Sequence, residues 1–342
     1  MSARAIMLLG GLTLVSLTLA LLLARPSSGP AVQEKQPLVP GLRAVVNDIE
    51  TIQIIAADGS GLVNLGRERE RWRVRERDGY EADFERVHEL LRNLAAGHRA
   101  SPRTANPAWY ARLGVVEPGK ADASGMLLRF PGTELPELIV GHADSAGQGH
   151  FVRLATEEQS WVSDQPIDLP GRLVDWLERS VMDIPARELS EVTIRHPDGD
   201  TVKLKAADDE GDQWVLMNVP DGRDALEYWQ LRPVAGGLSS VRLEDVARHD
   251  QNPDDAIRAL YVTRDGLNFV ASLFADEAGG WVNFSVSAEV AAADGEMDEA
   301  AQQMIIDAAA VDQRLSPWRF RLTSRKYEIM TRRLEDLLRT TD

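Results

Sequence analysis

The chain is predicted to be α+β. It reads as two tandem repeats of an antiparallel sheet plus helix, preceded by one N-terminal transmembrane helix. Three observations carry that expectation. Thr51–Gly59 (TIQIIAADG) and Glu191–Gly199 (EVTIRHPDG) are both alternating apolar stretches that stop at Asp-Gly. Each leads through a second such stretch to one bearing tryptophan, RWRV with Trp72 and QWVL with Trp214, 142 residues apart. Each then runs into apolar residues at helical spacing. Alternation marks a half-buried strand, and Asp-Gly between two alternating runs marks a hairpin turn.

The elements follow in order along the 342 residues. Residues 1–4 form a short head, and 5–24 (AIMLLGGLTLVSLTLALLLA) carry no charge. About 20 such residues at 1.5 Å rise cross roughly 30 Å of hydrocarbon. A cleaved signal has a shorter apolar core and small residues at its cut site. Here bulky leucines precede Arg25, so an uncleaved signal anchor is expected. Arg4 precedes the span and Arg25, Lys35 and Arg43 follow it, but a large domain after a short head is exported largely regardless of charge. Residues 25–43 are Pro-rich and read as a stalk.

The first repeat is expected over 44–186 and the second over 187–342, with the break near Ile184–Glu188. In the first, Asp83 caps a helix whose Phe84, Val87, Leu91 and Leu94 share a face. In the second, Leu231, Val234, Leu238 and Val241 follow that spacing at an offset of 147, with Pro233 in the first turn. Four strand-like segments come next in the first repeat, between Gly125 and Ser163. Only three come in the second, between Ala259 and Val286. Registry returns where Trp176 and Trp318 again differ by 142. Residues 289–313 are acidic and Ala-rich, have no counterpart in the first repeat, and read as an insertion, helical in part. The period lies far outside the 20–50 residues of solenoid arrays.

The run of segments is familiar. A Trp-bearing strand leads to a Tyr-Glu-Ala-Asp helix start, then YARLGVVEP (Tyr110–Pro118), LIVG (Leu138–Gly141) and HFVRL (His150–Leu154). Over roughly residues 45–340 this resembles the family catalogued as domain of unknown function 4340. The resemblance implies a bacterial, membrane-anchored, periplasmic protein of a kind that often accompanies ABC-transporter components of the gliding-motility type. It implies no catalytic residues.

Composition and motifs limit the chemistry. Net charge is -16, which disfavours nucleic acid and a folded face lying on anionic lipid. With no cysteine, disulfides, thiolate metal sites and a Cys nucleophile are excluded. No phosphate-cradling glycine motif or nucleophile-elbow serine is present. His142, Asp144 and His150 could form a facial metal triad, but they sit in what reads as a hairpin loop. No catalytic residue, metal or cofactor is therefore expected. Trp109 and Trp229, outside the strand set, are candidate partner contacts, as are Arg332 and Arg333 in a basic C-terminal stretch that reads as an amphipathic helix. The expected function is a membrane-anchored, non-enzymatic binding or accessory protein of an ABC-type transport or motility system. The alternative is an envelope hydrolase whose acids gather from distant segments.

Overall fold

The computed structural model describes residues 35–145, 147, 149–208, 212–289 and 299–340. The expected head and anchor, and most of the expected stalk, lie outside them. Among the described residues no helix is long and apolar enough to cross a membrane.

The first half begins with β1 (Gln36–Pro37) and helix α1 (Leu42–Val45). The hairpin strands β2 (Thr51–Ile55) and β3 (Gly61–Glu68) follow, then β4 (Arg71–Val74), β5 (Tyr80–Glu81) and α2 (Phe84–Ala96). After β6 (His98–Pro102) and α3 (Tyr110–Leu113) come β7 (Met126–Arg129), β8 (Leu138–Ala143), β9 (His150–Leu154) and β10 (Ser160–Ser163). The second half contains β11 (Ser180–Met182), β12 (Leu189–Arg195), β13 (Thr201–Ala206), β14 (Trp214–Leu216) and α4 (Tyr228–Ala235). Next are β15 (Val241–Arg248), β16 (Ile257–Thr263), β17 (Leu267–Asp276), β18 (Gly279–Ala288), α5 (Glu299–Leu315), β19 (Trp318–Leu322) and α6 (Ser324–Met330).

The protein is α+β, with two antiparallel sheets and helices. The first sheet runs β1-β6-β10-β9-β8-β7-β2-β3-β4-β5 and the second β11-β15-β19-β18-β17-β16-β12-β13-β14. Strand for strand the two orders correspond, with β5 as an extra edge on the first.

The correspondence extends to single hydrogen bonds. In the first hairpin Gly59 N donates to Ala56 O and Ala56 N to Ser60 O. In the second, Gly199 N donates to His196 O and His196 N to Asp200 O. Gly59 and Gly199 have φ of 85° and 93°, the left-handed step that lets a three-residue loop match the strand twist. Ile52 and Ile54 pair with Leu65 and Val63 as Val192 and Ile194 pair with Leu204 and Val202, and all eight are buried.

Each half is also closed by a backbone clasp. Asp83 N donates to Trp176 O and Glu178 N to Glu81 O, both at 2.9 Å. Leu226 N donates to Leu337 O at 2.9 Å and Arg339 N to Asp224 O at 2.8 Å. The chain's return thus grips the residues just before each helix.

The clasps correct several expectations. Leu337, not Trp318, corresponds to Trp176. Trp318 opens β19, the fourth strand of the second group, which the inserted helix α5 had displaced in sequence. The group is therefore not shortened. Asp83 and Glu227 cap the equivalent helices, an offset of 144 and not 147. Val87, Leu90, Leu91 and Leu94 then match Leu231, Val234, Ala235 and Leu238, all buried, while Phe84 is exposed and Val241 begins a strand. Pro233 sits in the second turn of α4, near its end at Gly236. The basic C-terminal stretch is not one helix but the end of β19, α6 and a 3₁₀ turn. Residues 36–42 of the stalk join the fold, because Leu38, Val39 and Leu42 are buried in the first core. Strand β11 already belongs to the second sheet, before residue 187.

The halves meet along a seam. The Tyr80 ring abuts Trp318 edge-on at 5.0 Å and Phe320 at 6.1 Å. Beside it, Arg77 makes a two-pronged pair with Asp245 at 2.6 and 3.2 Å. Tyr80→Ala is expected to cost about 3–5 kcal/mol through the void it leaves. Asp245→Asn, at a partly solvated pair, is expected to cost about 1 kcal/mol or less. Denaturant midpoints of the two variants measure the difference, and equal losses would show that the aromatic contact is not what joins the halves.

Candidate functional site

Helix α2 buries one stripe and exposes another. Phe84, His88 and Arg92 succeed one another at four-residue spacing, so they line a second face beside the core stripe. The rings of Phe84 and His88 stack at 5.6 Å. This face forms one wall of a cleft of about 580 Å³, within the usual range for small-ligand sites. Arg43 of α1 and Arg67 of β3 line it as well, and Trp72 and Leu91 are part of its apolar lining.

Charge sets this cleft apart. Arg43 and Arg92 are exposed, and neither has an ion-pair partner among the described residues. Arg67 donates to Asn47 O and lies 4.0 Å from Glu70, a side chain that is 93% exposed. Three arginines and one acid, Glu70, thus line one cleft, a local excess of positive charge in a chain of net charge -16.

The second half provides an internal comparison. Arg67 pairs across the strands with Trp72, as Ala206 pairs with Trp214. At the helix offset of 144, Tyr228 stands for Phe84, Arg232 for His88 and Gly236 for Arg92. Arg232 is bonded to Asp212 at 3.0 Å. The exposed aromatic is kept at the same place, and the open cationic cluster is not.

A second cleft, of about 620 Å³, lies on the seam. Glu68, Asp78, Glu81 and Glu178 line it, and of these Glu81 and Glu178 are committed. Glu81 accepts from Arg71 and lies 3.4 Å from Arg73, and Glu178 accepts from Ser180 N at 2.9 Å. Arg248 covers the Trp318 ring at 4.0 Å. Burial, with Glu81 and Glu178 adding to it, holds the Tyr80 phenol well above its ordinary value.

The segments YARLGVVEP and HFVRL meet at one buried arginine. Arg153 donates to Val115 O at 3.1 and 3.0 Å, to Glu157 O at 3.0 Å and to Glu117 at 2.7 Å, and it lies over Tyr110 at 4.5 Å. A Cβ at Gly141 would stand 2.1 Å from Leu113 O, so only glycine lets this strap lie against β8. Burial pushes the Glu117 carboxyl up, but its backbone hydrogen bond and those from Arg153 and Lys120 outweigh burial and bring it down to about 2.

The sequence profile of the family described as Domain of unknown function (DUF4340) matches residues 72–258. The chain belongs to the DUF4340 family. No curated protein and no solved structure matches it. In this DUF4340 chain the match takes in α2 and the Arg153 strap. It leaves out Arg43 and Arg67, so the family pattern does not define the charge of the cleft.

The predicted contact residues are spread over separate elements. Trp109 precedes α3, half exposed, with Arg112 4.5 Å over its ring. Trp229 is 62% exposed near the start of α4. Arg333 bonds Asp198 at 2.8 Å, and the Arg332 carbonyl faces His196 Nε2 at 3.3 Å, so this pair fastens the C-terminal segment to the β12–β13 turn. No hydrogen bond, ion pair or ring contact among the described residues joins the tryptophans to these arginines. His142 faces Ser124 at 3.0 Å, Asp144 faces Arg103 at 3.4 Å, and His150 accepts from Ile167 N at 3.2 Å, three unrelated environments. The residues that the sequence reading missed are Arg43, Arg67, His88 and Arg92. The available signal was the Phe84–His88–Arg92 stripe.

The Glu117 carboxylate is depressed on folding, so its contribution to stability is full above about pH 4.5 and is lost as pH falls toward about 2. Glu117→Gln is expected to flatten this part of the stability–pH curve. Parallel wild-type and variant curves between pH 5 and about 2 would contradict the assignment.

Proposed function

We propose that this DUF4340 chain is a membrane-anchored binding or accessory protein of the bacterial envelope. Residues 5–24 hold it in the inner membrane as a single-pass anchor, and the folded body stands on the periplasmic side. Its partners are membrane components of an ABC-type transport or gliding-motility-type system. We further infer that the body arose by duplication of one module, from the equal strand orders and the paired clasps.

The observation that carries a binding role is the contrast between the two clefts. In the seam cleft Glu81 is held by arginines and Glu178 by a backbone amide, which suits a polar joint beside Tyr80 better than acid–base chemistry there. In the α2 cleft charge is left available to a ligand. This favours recognition over hydrolysis. The 20-residue uncharged run supports the tether, and the family resemblance supports the compartment and the class of partner.

A reporter fused after Asp342 that is active only outside the cytoplasm tests the placement. Activity in the membrane fraction is expected, and a signal confined to the cytoplasm would refute it. Purification of the intact protein from solubilised membranes is expected to bring down transporter subunits. Repeated recovery of the chain alone would remove that part of the reading.

A further inference from the structure

The α2 cleft has the makings of a lipid-headgroup site. We propose that it takes the phosphate and glycerol of an anionic phospholipid, with the phosphate among Arg43, Arg67 and Arg92 and the first carbons of the chains against Phe84. The inference rests on the tethered reading above for the source of its ligand.

Three features favour this occupant. First, the recognition chemistry fits. Guanidinium groups form short, two-pronged hydrogen bonds to phosphate, and three arginines line this cleft against one acid, Glu70, which is 93% exposed and 4.0 Å from Arg67, whereas many other arginines of this chain are held closer to a carboxylate. Second, the lining is mixed. Phe84 is 51% exposed and stacked on His88, and Trp72 and Leu91 add apolar surface near the charge. A bare inorganic anion would leave that surface unused. Third, part of the cleft wall comes from the first stretch of chain after the tether. From Ala24 to Lys35 the chain can reach no further than about 40 Å, and α1, which carries Arg43, is among the first described elements beyond it.

The overall charge of -16 opposes a broad face lying flat on anionic lipid. It does not oppose one headgroup in a cationic cleft, because charges beyond about 8–10 Å are screened at physiological salt. The second half supports the assignment. With Ala206 and Gly236 in place of Arg67 and Arg92, and Arg232 tied to Asp212, the equivalent groove lacks two of the three phosphate ligands. One binding half and one supporting half is the economical outcome for a body on a single tether.

The test uses the full chain in neutral detergent micelles, with native mass spectrometry following dioleoyl-phosphatidylglycerol or dioleoyl-phosphatidylcholine as either is titrated in. The anionic lipid is expected to bind about tenfold or more tightly than the zwitterionic one. The double variant R43Q/R92Q changes two exposed side chains without ion-pair partners among the described residues, so its fold is expected to persist, as a thermal melt would check. It is expected to weaken phosphatidylglycerol about tenfold and erase the preference. Phe84→Ala is expected to weaken the lipid and to leave inorganic phosphate unaffected. Lipid retention indifferent to R43Q/R92Q overturns the proposal and assigns the lipid to the apolar segment. Inorganic phosphate that binds as tightly as the lipid, with the same arginine dependence, also overturns it in favour of a free-anion site. A cytoplasmic reporter would refute the tether while leaving this affinity measurement intact, so the two failures are distinguishable.

Discussion

The placement of each helix depends on a backbone clasp. Helices α2 and α4 are short, and isolated helices of that length are marginal in water. Their positions are set where the chain returns from the last strand of its sheet and bonds the residues just ahead of the helix. Asp83 with Trp176 and Glu81 with Glu178 do this in the first half, Leu226 with Leu337 and Asp224 with Arg339 in the second. Backbone groups make these bonds, so side chains around them are free to vary. Trp176 and Leu337 share a role and little else, and both are buried. Fixing the start of α2 also fixes Phe84, and with it the stripe that walls the cationic cleft.

The electrostatics follow from that geometry. A chain with a large excess of acid has carboxylates to spare, and many of its arginines are held close to one. Leaving Arg43 and Arg92 without such partners is therefore a property of place. Net charge describes the far field of the protein and hides a local reversal of sign within one Debye length. Arg332 and Arg333 teach the converse. Their charge stands out in the sequence, yet Arg333 is bonded to Asp198 at the β12–β13 turn, and Arg332 lies 4.0 Å from Asp336.

The legible parts of the fold were those written locally. Alternation and Asp-Gly located both hairpins, and the Trp-bearing strands β4 and β14 were found in register. The α5 insertion was visible from its composition, although nine of its residues, 290–298, lie outside those described. Errors arose where periodicity alone chose the register. A helical stripe admits a shift of three residues with little loss, so apolar spacing alone gives the second helix an offset of 147 where the caps give 144. Trp318 was matched to Trp176 by spacing, which hid the fourth strand behind the inserted helix. Strands β1 and β11, of two and three residues, carry no pattern at all; they exist because a neighbouring strand offers them bonds. Beyond the Phe84–His88–Arg92 stripe, the cleft was illegible for a different reason. Arg43, Arg67 and Arg92 are far apart in sequence, on three elements whose approach only the folded chain defines.

Residue-level hydrogen exchange tests the account most directly. If the clasps set each helix, the amides of Asp83, Glu178, Leu226 and Arg339 exchange slowly and together with the strands of their own sheets. Rapid exchange of these four amides, at the rate of open loop residues while β2 and β12 stay protected, would show that the helices are held by something else and would remove the common basis claimed for the two halves.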